Sequence, residues 1–125
     1  MLPVGVESKE QALSCPIRSV LSNVSGKWRI IIILALEDGP KRFGEMKRCI
    51  GDVTQRVLTE NLRQLQRDGY ITRTVFEGPP VAVSYALTPM GADLVAQMKP
   101  LVFWSNDHAA DVFAARAAYD KAATP

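Results

Sequence analysis

Gln55, Arg56, Thr59, Glu60 and Arg63 carry the donor and acceptor groups that hydrogen-bond polar edges of other molecules, and their spacing places them on one arc of a helix. Arginine matches guanine bidentately and glutamine matches adenine, while threonine meets a thymine methyl or a phosphate. Glutamate repels phosphate, so Glu60 either accepts from a cytosine amine or steadies Arg56 or Arg63 through an ion pair on the helix. The same five side chains on an ordinary helix would be groups solvated by water and nothing more. Leu58, Leu62 and Leu65 recur at four- and three-residue steps within the same stretch, "CIGDVTQRVLTENLRQLQRDGYITR". They give the helix an apolar face to bury, which turns the polar arc outward.

A second set of cations surrounds the first. Lys41, Arg42, Lys47, Arg48 and Arg73, with Lys27 and the hydroxyl of Thr54, suit phosphate oxygens, which position a protein without reading sequence. The whole chain of 125 residues carries a net charge of only +2. Between Lys41 and Arg73, however, eight basic residues stand against four acidic ones, so this stretch holds +4 and the remainder −2. Positive charge concentrated in this way attracts polyanions locally, although basic surface clusters also occur without a partner.

Other chemistries find little support. There is no paired-carboxylate, nucleophile-and-base or metal-ligand set, so no enzyme, cofactor or metal is expected. His108 is the only histidine and reads as an interface or surface residue. Two cysteines, Cys15 and Cys49, are too few for a disulfide framework and lack metal-ligand spacing, so they read as free thiols in a reducing compartment. Cys15 lies just ahead of Pro16 at the start of a helix, where the helix dipole favours a thiolate. A buried, inert cysteine is the plainer alternative. No segment reaches the apolar length of a membrane span, and "MLPVGVESKEQ" lacks the layout of a signal peptide, so a cytoplasmic protein is expected.

The elements that must hold these residues can be read from the punctuation. A chain of this length predicts one domain, residues 1–125, with a core over about 15–104 and a helical extension over about 105–121. Pro16 opens a first helix with Ile17, Val20, Leu21 and Val24 as its apolar stripe. Ser25 caps a second helix through "KWRIIIILALE", which Asp38-Gly39-Pro40 ends. A short extended piece at Lys41 to Phe43, a brief helix over Glu45 to Cys49 and a tight turn lead to Thr54, the cap of the helix Gln55 to Asp68. Gly69 stops it.

The period then changes from 3.6 to 2. "YITRTVFE" and "VAVSYALT", separated by Gly78-Pro79-Pro80, read as a β-hairpin. Thr88-Pro89 starts a last helix, which Pro100 is expected to kink or divide. Trp28, Phe43, Phe76 and Tyr85 are expected to pack in the core or the hairpin rather than to stack on bases. Phe103, Trp104 and "HAADVFAARAAY" form an apolar surface too long for one small domain to cover, which predicts a second copy of the same helix across a twofold axis. A helix-turn-helix with a hairpin directly behind it is the winged-helix arrangement. The fold class is therefore mainly α with a small β-hairpin wing, flanked by N- and C-terminal helices suited to dimerisation.

Over about Cys15 to Trp104 the chain resembles the HxlR-type winged helix-turn-helix transcriptional regulators. The resemblance is carried by Cys15-Pro16, Gly26-Lys27-Trp28, Gly39-Pro40 with Arg42-Phe43, "LTENLRQLQRDGYITR", Pro79-Pro80, Tyr85, Leu87-Thr88 and Gly91, in order and at family spacing. It implies a homodimer held by the first and last helices, with Ile17, Val20, Leu21, Leu101, Trp104, His108 and Val112 at the interface, bound to palindromic double-stranded DNA near a promoter. It also implies a sensor of oxidants or electrophiles at Cys15, for which a bond to Cys49 across the dimer would couple oxidation to the spacing of the reading helices. It leaves room for a small-molecule effector. The chain departs from the pattern in having Val81-Ala82 and Val83-Ser84-Tyr85 where the family often has a basic residue and Val-Glu-Tyr. Gly44 also stands where a small polar cap is usual. A winged-helix module that binds an acidic protein partner, without sequence-specific DNA binding, is the alternative from another class.

Overall fold

The computed structural model describes residues 19–22 and 26–123. The expectations for Cys15, Pro16, Ile17 and the Ser25 cap lie outside the described residues. Two compact units divide between Ala92 and Asp93.

In the first unit, residues 19–22 are helical. Helix α1 spans Lys27–Ala35 with Gly26 in the N-cap position, where its extended backbone starts the helix without a side-chain cap. Ile32, Ile33 and Leu36 are fully buried, so the β-branched run is tolerated because packing outweighs helix propensity. Strand β1, Lys41–Arg42, leads directly into helix α2, Phe43–Ile50.

Helix α2 starts two residues earlier than the expected Glu45, and Gly44 falls inside its first turn. The reason is Glu45, whose carboxylate reaches back to accept the Arg42 backbone N–H at 3.0 Å and ties off that end without a polar cap residue. Gly51 turns the chain at φ +91°, a conformation that disfavours any residue with a Cβ, and Val53 buries itself beneath the turn.

Helix α3, Gln55–Arg67, follows the expected pattern at both ends. The Thr54 hydroxyl accepts the Val57 N–H at 3.2 Å. At the other end Gly69 takes φ +85°, its N–H bonds to the Gln66 carbonyl at 3.1 Å, and the Tyr70 N–H bonds to the Leu65 carbonyl at 3.0 Å. That pair of bonds is a Schellman motif, and the buried side chains of Leu65 and Tyr70 are the apolar pair that accompanies it.

Strands β2, Ile71–Phe76, and β3, Ala82–Leu87, form the hairpin. Strand β1 pairs with the free edge of β3, which makes a three-stranded antiparallel sheet of order β1-β3-β2. In register, Lys41 lies opposite Tyr85 and Tyr85 lies opposite Arg73, so the three side chains rise from one face of the sheet. The core is the space enclosed by α1, α2, α3 and the sheet, filled by Ile32, Ile33, Leu36, Met46, Leu58, Leu62, Leu65 and Ile71.

Helix α4 runs over Pro89–Ala123, 35 residues, and remains one helix through Pro100 rather than dividing there. Proline deprives the Ala96 carbonyl of its donor, but Ala96 and Pro100 are both exposed, so water can satisfy that oxygen. Its start is tied to the end of α3 within the first unit. The Thr88 hydroxyl donates to the Gly69 carbonyl at 2.6 Å and accepts the Gly91 N–H at 3.1 Å, while the Thr88 N–H bonds to the Tyr70 carbonyl at 3.0 Å. Gly91 packs so closely that a Cβ there would meet the Tyr70 carbonyl oxygen. Among the described residues no helix is long and apolar enough to cross a membrane.

Candidate nucleic-acid interface

Helix α3 builds the site from its two faces. At about 100° per residue, Arg56 and Glu60 lie nearly opposite Leu58, Leu62 and Leu65, with Arg63 beside them and Gln55 and Thr59 on the near flank. The three leucines are buried to within 1 % of complete exclusion from solvent, and all five polar residues are exposed. Gln55, Arg56, Thr59, Glu60 and Arg63 line a single open depression. Rigid burial on one side thus presents a fixed polar surface on the other.

Glu60 resolves one of its alternatives. Its Oε2 lies 3.5 Å from Nη1 of Arg63, and its Oε1 accepts from Gln64 at 3.5 Å, so it steadies Arg63 rather than Arg56. The pair is open to solvent, where such bridges contribute little stability. Arg56 has no ion pair among the described residues.

A second depression adjoins the first and shares Thr59 and Arg63 with it. It lies between α3 and the sheet, lined by Thr59, Arg63, Gln66, Arg73 and Tyr85. Gln66 and Tyr85 are absent from the sequence-derived set. The signal for Gln66 was its seven-residue step from Thr59, two turns along the same stripe; for Tyr85 only the strand register provides one.

The remaining cations are spread more widely. Lys41 is engaged by Asp38, Nζ to Oδ1 at 2.6 Å. This hydrogen bond and the attendant charge hold the Asp38 carboxyl below the ordinary carboxylate range, and the same bond raises the Lys41 ammonium. The Lys27 ammonium sits 4.4 Å over the Trp28 ring, a cation–π contact. Arg42, Arg48, Thr54 and Arg73 are exposed, and Lys47 is half-buried. Tyr85 is buried as expected, whereas Phe76 is 53 % exposed. Phe76 takes the outer face of the hairpin, since in the period-2 alternation the inner face belongs to Ile71, Arg73 and Val75.

Cys49 is a free, exposed thiol near the end of α2, beside a shallow hollow lined by Leu34, Ala35, Glu37, Asp38 and Lys41. Among the expected interface residues, Val20, Leu21, Leu101, Trp104 and Val112 are exposed. His108 is half-buried, stacked on Trp104 with ring centroids 4.5 Å apart, its Nδ1 2.9 Å from the Trp104 carbonyl oxygen. No group of His, Cys, Asp and Glu among the described residues is placed to hold a metal ion.

A family model for an HxlR-like helix-turn-helix matches residues 23–112. The chain belongs to the HxlR-like helix-turn-helix family. Among HxlR-like relatives, the uncharacterized HTH-type transcriptional regulator YdeP of Bacillus subtilis (strain 168) is 38 % identical over 117 residues, 91 % of each chain. A solved structure assigned as the transcriptional regulator YtfH from Salmonella typhimurium superposes with a TM-score of 0.77 at 33 % identity, covering 89 % of this chain and 99 % of that one. The redox regulator HypR in its oxidized form gives a TM-score of 0.69 at 36 % identity, covering 74 % and 96 %. The protein is therefore a transcriptional regulator of helix-turn-helix type, with a redox regulator among its structural neighbours.

Proposed function

We propose that the protein is a homodimeric, sequence-specific DNA-binding regulator that acts in the cytoplasm on palindromic operators. The observation that supports this reading most directly is α3. Its buried leucines lock the helix to the core, and its exposed arc of Gln55, Arg56, Thr59, Glu60 and Arg63 has the dimensions and donor set that a major groove accepts. Lys27, Lys41, Arg42, Lys47, Arg48, Thr54 and Arg73 supply the surrounding cations and hydroxyl for phosphates. Selection of bound genomic fragments with purified protein, followed by binding titrations against a scrambled duplex, tests the reading. Selective, salt-sensitive retention is expected, and Gln55→Ala with Arg56→Ala should abolish the selectivity. Absence of salt-sensitive duplex binding by the wild type would leave the protein-interaction module as the better account.

The likeness to HypR favours a second element, response to oxidants through Cys15, with Cys49 as the partner thiol across the dimer. DNA affinity and non-reducing gel mobility, measured before and after mild oxidant, test it. The response should vanish in Cys15→Ser; an unchanged response would remove the switch.

A further inference from the structure

The cleft between α3 and the sheet has a composition that the groove-reading face does not share. Arg63 reaches it from the helix, Arg73 from β2, and Thr59, Gln66 and Tyr85 complete its walls, which enclose about 340 Å³. No carboxylate lines it. Thr59, Arg63 and Gln66 follow one stripe of the helix, and Arg73 stands directly opposite Tyr85 across the strand pair, so two elements aim cations at one space. Tyr85 is about nine-tenths buried, and its hydroxyl, unbonded to any described residue, remains open to solvent. Arg73 has no ion pair among them. The bond from Arg63 to Glu60 is long and exposed and occupies one nitrogen of a guanidinium that carries five donors.

We propose that this cleft seats a single phosphate of the DNA backbone, held jointly by Arg63 and Arg73, so that Arg63 grips the backbone rather than reading a base. One guanidinium matches the two acceptors of a guanine edge, but two guanidinium groups converging on one space bring two positive charges, which a neutral base edge does not balance. Two such forks, with hydroxyl and amide donors between them, complement a group that only accepts, and a phosphodiester with its two free oxygens is that group. The inference rests on the DNA-binding reading and refines it. Base selection falls to Gln55 and Arg56 in the first turn of α3, and the wing, which lacks a basic tip, anchors the backbone through the base of its hairpin.

The test is a set of binding titrations with a duplex selected by the protein and a scrambled duplex, from about 50 to 200 mM salt. Each phosphate contact contributes about 0.9 to the slope of log affinity on log salt. Arg63→Ala and Arg73→Ala are each expected to weaken both duplexes by the same factor and to lower the slope by about 0.9, and the double variant is expected to lower it by the same about 0.9, because one phosphate is lost once. Tyr85→Phe keeps the packed ring and should weaken both duplexes equally. Far-ultraviolet circular dichroism confirms that the exposed-site variants keep their helices. A slope reduction of about 1.8 in the double variant, or an Arg63→Ala loss confined to the selected duplex, overturns the shared seat and leaves DNA binding intact. Release of DNA by micromolar inorganic phosphate at matched ionic strength, lost in Arg73→Ala, would instead assign the cleft to a free anion. A wild type without salt-sensitive binding overturns the DNA-binding reading and the seat together.

Discussion

Arg56 and Glu60 face away from the leucine stripe of α3, and that orientation separates what each side chain can do from what it must support. Replacing Arg56 with alanine removes an exposed guanidinium without disturbing the core. The expected result is a loss of about 1–3 kcal/mol in binding, confined to one operator position and visible when single-base variants are compared. Leu62→Ala acts on the other side of the same helix. It opens a cavity in a fully buried site, with an expected loss of about 2–5 kcal/mol in stability, measured as a lower denaturant midpoint.

The Asp38 to Lys41 bond makes a residue-scale prediction of a different kind. The folded carboxyl lies below its ordinary value of 3.8, so its stabilising contribution is present above that pH and is lost as pH falls through the lower folded value. Lys41 is raised, so its contribution holds below 10.5 and is lost as pH rises through the higher folded value. The stability difference between wild type and Asp38→Asn should therefore persist across neutral pH and shrink in strong acid, as read by denaturant midpoints at pH 7 and pH 2.

At the scale of elements, the end of α3 and the start of α4 are one construction. Gly69 needs its positive φ for the Schellman turn, and a side chain there is expected to cost about 1–2 kcal/mol. Gly91 is a matter of space rather than of conformation. A methyl at that position meets the Tyr70 carbonyl oxygen, which also accepts the Thr88 N–H, so Gly91→Ala must disturb both. Thermal unfolding should show Gly91→Ala destabilised by about 1–3 kcal/mol, although both glycines lie outside the exposed polar arc of α3. Thr54→Ala, which loses the bond to Val57, should cost about 1 kcal/mol and fray the end of α3 that carries Gln55 and Arg56.

At the scale of the molecule, α4 exposes Leu101, Phe103, Trp104, Phe113 and Tyr119, with Trp104 54 % accessible. Large apolar side chains in this number call for cover, which the proposed homodimer would supply with twofold symmetry. Trp104→Glu is expected to shift the protein toward monomer in sedimentation velocity and to weaken binding to a palindrome while sparing a half-site. An unchanged dimer would place the interface elsewhere.

Helix α3 and its caps were legible from residue order alone, because helix period, threonine capping and a glycine stop are local properties of the chain. The polar arc followed from the same period. The hairpin was legible too, from its β-branched strands and the Gly-Pro-Pro break. Three features came only with the tertiary structure. Helix α2 begins at Phe43 because Glu45 folds back onto it, a competition of capping groups that residue type does not rank. Helix α4 passes through Pro100 where Ala96 and Pro100 are both exposed and water can replace the lost donor, which depends on exposure. The cleft of Arg63, Gln66, Arg73 and Tyr85 exists because strand register sets Arg73 beside Tyr85 and packing sets both against α3. Local patterns determine which elements form and which faces they show. Only the long-range pairing of those elements decides which side chains share a space, because that pairing is won by the packing of the whole core.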